Sequence, residues 1–91
     1  MKLNGKTQEA IVYSLHRKSY YNKRHTPIEF VCKRLSSIPC KKIRKEIKNL
    51  AKERIIIFKK TEHGIDVKLN VKMKNEIEKI VGEKMDKLYD F

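Results

Sequence analysis

The chain has 91 residues, too few for more than one domain, and 40% of them are apolar, which is enough for a small core. Its 23 Lys and Arg residues outnumber 11 Asp and Glu residues, so the formal net charge is +12. A small domain this cationic usually faces a polyanion: DNA, RNA or an anionic membrane. No apolar run reaches the ~18 residues that a membrane-spanning helix needs, and residues 1–6 lack the apolar stretch of a signal peptide. We therefore expect a cytoplasmic protein that does not enter a membrane.

A first amphipathic helix is predicted over residues 6–17, because its apolar and small side chains recur at helical spacing: Ala10, Ile11, Ser14 and Leu15. The basic segment 17–25 follows and contains Tyr20 and Tyr21. This segment could extend the helix, form a loop or hold a short strand near Tyr21.

Two further helices are predicted in the middle of the chain. The segment 26–29 is typical of a helix start, because Thr26 can cap the helix, Pro27 suits its first position and Glu29 completes a capping box. This second helix ends before the Ser36-Ser37 pair. One of these serines then caps a third helix, over about residues 38–54, whose inner stripe is Ile43, Ile47 and Leu50.

A β-hairpin and a last helix complete the predicted elements. Residues 55–58 are β-branched or aromatic, residues 61–64 are typical of a turn, and residues 65–71 alternate, with four apolar side chains on one face: Ile65, Val67, Leu69 and Val71. Asp66 and Lys68 alternate onto the other face. Residues 72–89 are predicted to be a helix with an apolar stripe of their own.

This order of elements resembles the winged helix-turn-helix family of archaeal and bacterial DNA-binding regulators. The match runs from residues 30–35 through residues 55–57, where the family's apolar positions are occupied by Leu35, Ile43, Ile47, Leu50 and Ile55. The resemblance covers about residues 5–71. It departs from the family in a longer segment between the first two helices and in the Ser36-Ser37 pair in the turn. It implies an α+β fold: a winged helix-turn-helix domain over residues 1–71, with a three-helix core and a hairpin wing, and an added helix over residues 72–91.

The third helix carries only lysines opposite its apolar stripe. At about 100° per residue, the face opposite Ile43 contains Lys41, Lys45, Lys48 and Lys52, and Lys42 and Arg44 flank it. Ordinary solvated faces mix both signs of charge, whereas a helix of this kind fits the major groove of DNA. We therefore expect the lysines to bind phosphates and Arg44 to be the best candidate for reading a guanine.

The rest of the chain supports this location. Residues 1–54 hold 15 of the 23 Lys and Arg residues but only 4 of the 11 Asp and Glu residues. The family resemblance implies that the wing also contacts DNA, through Lys59, Lys60 and His63. It further implies a homodimer, because an appended C-terminal helix commonly forms a dimer interface; the candidate residues are Met73, Ile77, Ile80, Val81 and Leu88. The alternative is that this stripe packs on its own domain.

Catalysis and cofactor binding find no support in the sequence. The chain shows no nucleophile–base arrangement and no Gly-rich phosphate loop, so we expect neither an enzyme nor a cofactor. Cys32 and Cys40 match no zinc spacing, and we expect them to be reduced thiols, with no metal site.

The predicted function is that of a sequence-preferring protein that binds double-stranded DNA, as a transcriptional regulator does. Two alternatives remain open. An RNA-binding module of a ribonucleoprotein would use the tyrosines of segment 17–25 to stack on unpaired bases. A protein-interaction winged helix would instead dock an acidic partner on the basic face.

Overall fold

The computed structural model describes the backbone of residues 1–89 and the side chains of residues 1–82. In chain order its elements are α1 (Gly5–Arg17), β1 (Thr26–Pro27), α2 (Ile28–Arg34), α3 (Cys40–Lys52), β2 (Ile56–Thr61), β3 (Gly64–Leu69), a short 3₁₀ helix (Val71–Met73) and α4 (Lys74–Tyr89). Three helices, an antiparallel hairpin and a C-terminal helix confirm the α+β class and are consistent with a winged-helix-like arrangement.

The sheet has three antiparallel strands in the order β1-β3-β2. Strands β2 and β3 form the predicted hairpin, with Ile56 opposite Leu69 and Thr61 opposite Gly64. Gly64 has a φ of 134°, a backbone conformation that side chains disfavour, so glycine suits this end of the turn. The tyrosine-bearing segment leaves α1 as a loop, makes one bridge at Tyr21 to Leu69, and leads into β1.

The core lies where the predicted apolar stripes converge. Helix α1 packs against α2, α3, α4 and β3, and α3 also packs against α2 and β2. The four α-helices and strands β2 and β3 contribute fully buried aliphatic side chains, among them Ile11, Leu15, Val31, Ile43, Ile47, Leu50, Ile56, Val67 and Ile77. The inner stripes predicted for α1 and α3 are thereby confirmed. In the part of the chain that the structure describes, no helix is both long and apolar enough to cross a membrane.

The start of α2 differs from the prediction. Thr26 lies on β1, paired with Val67, so the residue that precedes the helix is Pro27 and no side chain caps its first turn. The capping box is wrong for the same reason, and the Glu29 carboxylate instead accepts a hydrogen bond from Arg44. Because the backbone of Thr26 pairs with β3, Thr26 is not positioned to cap α2.

The alternation predicted for residues 65–71 holds only at its centre. Val67 and Leu69 are buried, but Ile65 is 51% exposed and Val71 is 42% exposed. Ile65 lies near the hairpin tip, beyond the helices, and Val71 has already left the strand for the 3₁₀ helix. Asp66, predicted to face solvent, is buried beneath His25, whose Nδ1 lies 2.6 Å from its Oδ2.

A disulfide joins Cys32 of α2 to Cys40, the first residue of α3, with Cα atoms 5.2 Å apart. The expectation of two reduced thiols is therefore wrong for this structure. It rested on the usual redox compartment, whereas the tight turn between the helices brings the two side chains together. Helix α3 begins at Cys40 behind Pro39, so the serines predicted to cap it, Ser36 and Ser37, lie exposed in the turn.

Candidate nucleic-acid interface

Helix α3 presents a row of cations to solvent. Its inner residues Ile43, Ile47 and Leu50 are fully buried. Its opposite face is exposed, and we call this row the lysine ridge: Lys41, Lys45, Lys48 and Lys52. Among the side chains of residues 1–82, no carboxylate forms an ion pair with any of these four lysines. The ridge therefore offers exposed cations, none of them in a described ion pair, to an external anion.

The acidic residue inside α3 is held to one side of the ridge. The Glu46 carboxylate accepts hydrogen bonds from Asn49 Nδ2 at 2.9 Å and from Gln8 Nε2 of α1 at 3.1 Å. These hydrogen bonds lower the pKa of the Glu46 carboxyl below its usual value. Glu46 is thus an ionised link between α3 and α1, and its charge interacts with nearby Lys45 and Lys42 without forming a described ion pair with either.

Arg44, the residue predicted to read a guanine, is already engaged. Its Nη2 lies 3.3 Å from Oε1 of Glu29 on α2, and both side chains are well exposed. A backbone hydrogen bond and the Arg44 guanidinium lower the pKa of Glu29, so the carboxylate is charged. Arg44 must give up this ion pair before it can contact a base, whereas neighbouring Lys42 is exposed and need not.

The structure places the predicted wing residues on the hairpin and exposes all three: Lys59, Lys60 and His63. Lys59 and Lys60 are consecutive strand residues, so they leave opposite faces of the hairpin. His63 lies in the turn, where its backbone N–H donates to Thr61 Oγ1 at 3.2 Å. Because β2 packs against α3, the wing and the lysine ridge belong to one continuous body.

Sequence reasoning missed three exposed apolar residues on the wing, one of which is Ile57, 39% exposed. Phe58 is 43% exposed and Ile65 is 51% exposed. Phe58 shares a strand face with Ile56 and Lys60, and Ile65 lies opposite Lys60. The alternation predicted Ile65 to be buried, and its proximity to the turn was the signal that the core ends before it; no face was predicted for Ile57 or Phe58.

The two tyrosines after α1 are bound within the protein. Tyr21 is only 6% exposed, its hydroxyl lies 2.9 Å from His16 Nδ1, and burial raises its pKa to about 12. The Tyr20 ring has the guanidinium carbons of Arg24 and Arg34 at 5.5 and 5.3 Å from its centroid. A hydrogen bond from Arg34 lowers the pKa of the Tyr20 hydroxyl. Both rings are thus engaged in contacts within the protein.

The apolar stripe of α4 packs on its own chain. Ile77 is fully buried and Val81 is 7% exposed, and Met73 and Ile80 are half-buried against the same core. Ile77 and Val81, two of the residues predicted for a dimer interface, thus pack within the chain where α4 contacts α1, as in the alternative given above. Leu88 lies outside the described side chains. A homodimer stays a prediction.

Among the described residues, no group of three or more His, Cys, Asp or Glu side chains is placed to hold a metal ion.

Comparison with known proteins returned no match to a protein-family model, a curated protein or a solved structure. The likeness to winged helix-turn-helix regulators thus rests on the chain's own residues and on the geometry described above.

Proposed function

We propose that this chain is a winged helix-turn-helix protein that binds double-stranded DNA, with α3 in the major groove and the hairpin against the backbone. The observation that carries the proposal is the lysine ridge: four exposed cations on one helix face, with no described carboxylate paired to them. A single α-helix fits the major groove, so the ridge can bring several charges to the phosphates at once.

The expected energetics follow from the charge. Each lysine that neutralises a phosphate releases condensed counterions, so affinity falls steeply with salt. Lysine is a point charge with no fixed fork of donors, so the ridge supports affinity more than discrimination. Sequence preference, and with it a role in transcriptional regulation, then depends on Arg44 or on the shape of the DNA.

Single-stranded RNA is a weaker candidate for this surface. Sequence-tolerant binding of unpaired bases relies on aromatic rings with free faces. Tyr20 has two guanidinium groups over its ring and Tyr21 is buried, so both rings of the segment that favoured RNA already make contacts within the protein.

The test is binding of labelled duplex DNA by fluorescence anisotropy over a range of salt concentrations. We expect the logarithm of the affinity to fall with that of the salt concentration, with a slope of about −0.9 for each phosphate neutralised. Lys45→Glu/Lys48→Glu should lower the affinity by more than about tenfold without loss of helical circular dichroism. The matched control is Lys72→Glu/Lys79→Glu, which makes the same change in net charge at two exposed positions near α4.

Several outcomes would contradict the proposal. A salt-independent affinity, or no binding at low salt, would remove it. An equal loss in the control variant would mean that only the net charge matters. Structured RNA that displaces the duplex would assign the ridge to RNA, and an acidic protein that alone binds it would assign the ridge to a protein partner. Selection from random duplexes then measures sequence preference.

A further inference from the structure

A second cationic surface lies where α1 ends and β1 begins. One shallow concavity between α1 and α2 is lined by three cations: Arg17, Lys18 and Arg34. A neighbouring concavity is lined by four: Lys23, Arg24, Lys68 and Lys74. No carboxylate lines either concavity within the described part of the chain. We call the two sets together the basic belt.

The backbone that carries the belt is fixed in place. Ser19 and Asn22 have φ values of 56° and 55°, in the left-handed region that is uncommon for serine and better tolerated by asparagine, and contacts from elsewhere in the chain hold this segment. Those contacts come from β3: Lys68 Nζ donates to the Asn22 carbonyl at 2.7 Å, and the Leu69 N–H donates to the Tyr20 carbonyl at 2.8 Å. The chain reversal thus directs the exposed Lys18 and Lys23 outward from a fixed support.

Tyr20 joins the two concavities into one surface. The guanidinium groups of Arg24 and Arg34 both lie over its ring, and Arg34 Nη2 donates to its hydroxyl at 3.0 Å. A guanidinium has five N–H donors, so one bond to Tyr20 leaves Arg34 with donors for an anion. Both arginines are exposed. Lys74 is the most compensated cation of the belt, since its Nζ lies 3.9 Å from a Glu78 carboxylate oxygen.

The belt faces a different side of the molecule from the lysine ridge. On α2, Cys32 and Glu29 are joined to α3, through the disulfide and the ion pair with Arg44. The Arg34 side chain projects from the opposite flank of α2 and donates a hydrogen bond to the Tyr20 hydroxyl. Helix α1 packs against both α3 and α4, and Lys74 is the first residue of α4. Arg34 therefore lies on the flank of α2 that faces away from α3, which carries the ridge.

We propose that the basic belt binds the phosphate backbone of a second DNA duplex, so that one chain bridges two duplexes. The inference rests on the proposed function for the first duplex. Charge complementarity selects the ligand, because the belt carries seven cations on two adjoining concavities. The covered rings of Tyr20 and Tyr21 favour backbone phosphates over bases, so this second contact is indifferent to sequence.

The experiment captures one duplex on beads and measures retention of a second, labelled duplex by the full chain, alongside the single-duplex affinity in solution. The belt variant is Lys18→Glu/Lys23→Glu, at two exposed positions. It should retain the second duplex more than about tenfold less than wild type and keep its single-duplex affinity within about twofold. The ridge variant Lys45→Glu/Lys48→Glu should lose both. Lys72→Glu/Lys79→Glu is again the matched control.

Two results would overturn the belt's role. If the belt variant still bridges duplexes, another surface, such as one joining two copies of the chain, holds them together. If it loses single-duplex affinity as fully as the ridge variant, belt and ridge contact the same duplex. A ridge variant that keeps single-duplex affinity, while the belt variant loses it, would instead refute the role proposed for α3. The two failures are therefore distinguishable.

Discussion

Helices α3 and α4 both pack an apolar stripe against the common core, but their outward faces differ in charge. The outer face of α3 is the lysine ridge, with no paired carboxylate among the described side chains. The described part of α4 mixes both signs, and Lys74 and Glu78 form an exposed pair one helical turn apart. A mixed face is adequately explained by solvation. The single-sign face of α3 is the one that indicates a polyanionic ligand.

The largest expected effect is a loss of stability on substitution in the buried apolar stripe of α4. Ile77 is fully buried, so Ile77→Ala should lower the free energy of unfolding by about 2–5 kcal/mol, as expected for any fully buried isoleucine. Half-buried Ile80 provides the control, and Ile80→Ala should cost less. Denaturant unfolding measures both. If Ile77→Ala left stability unchanged and instead dissociated a dimer, the stripe would belong to a partner chain and α4 would not complete this fold.

The spacing of apolar residues predicted most of the fold, because burial of one face of each element imposes that spacing on the sequence. The stripe of Ile43, Ile47 and Leu50 predicted the inner face of α3. The lysines on the opposite face were therefore predicted to be exposed. Periodicity could not determine what covers a stripe. The same pattern in α4 predicts packing within the chain and packing between chains equally well, and Ile77 illustrates this ambiguity.

Contacts between distant residues were the part that sequence could not supply. Asp66 alternates onto the solvent side of β3, but His25, from a loop 41 residues away, covers it. Arg44 was identified as a cation of α3, yet its ion pair with Glu29 depends on how α2 and α3 cross. The belt was visible as cations interleaved with tyrosines, whereas the stacking of Arg24 and Arg34 on one ring depends on tertiary structure.

A smaller effect on stability is expected from the disulfide. It links the start of α3 covalently to α2, whereas the described part of α4 has no such link. The bridge closes a short loop, with its cysteines 8 positions apart, so reduction by a dithiol should lower the free energy of unfolding by about 2–3 kcal/mol. Cys32→Ala/Cys40→Ala is the control and should not respond to the reductant. Thiol titration of the native protein should find no free thiol before reduction; two free thiols there would contradict the bridge.

The smallest expected effect concerns Arg44, the cation of α3 that forms a described ion pair, with Glu29. Glu29→Gln removes the carboxylate that holds Arg44 and leaves the backbone of α2 unchanged. Duplex affinity should rise a few-fold, because Arg44 becomes free for phosphate or guanine and a negative charge near the ridge is lost. The unfolding midpoint should hardly move, since exposed ion pairs contribute little to stability. Anisotropy with a duplex set that differs at single base pairs makes the measurement.

The two sources of that gain can be separated in Arg44→Gln. If Arg44 is released to bind DNA, Glu29→Gln should increase affinity in the wild-type background more than in the Arg44→Gln background, where only the charge effect remains. An equal gain in affinity in both backgrounds would mean that Arg44 does not contact the DNA. An added preference for particular base pairs, present only with Arg44, would identify it as a base-reading residue within an otherwise phosphate-binding helix.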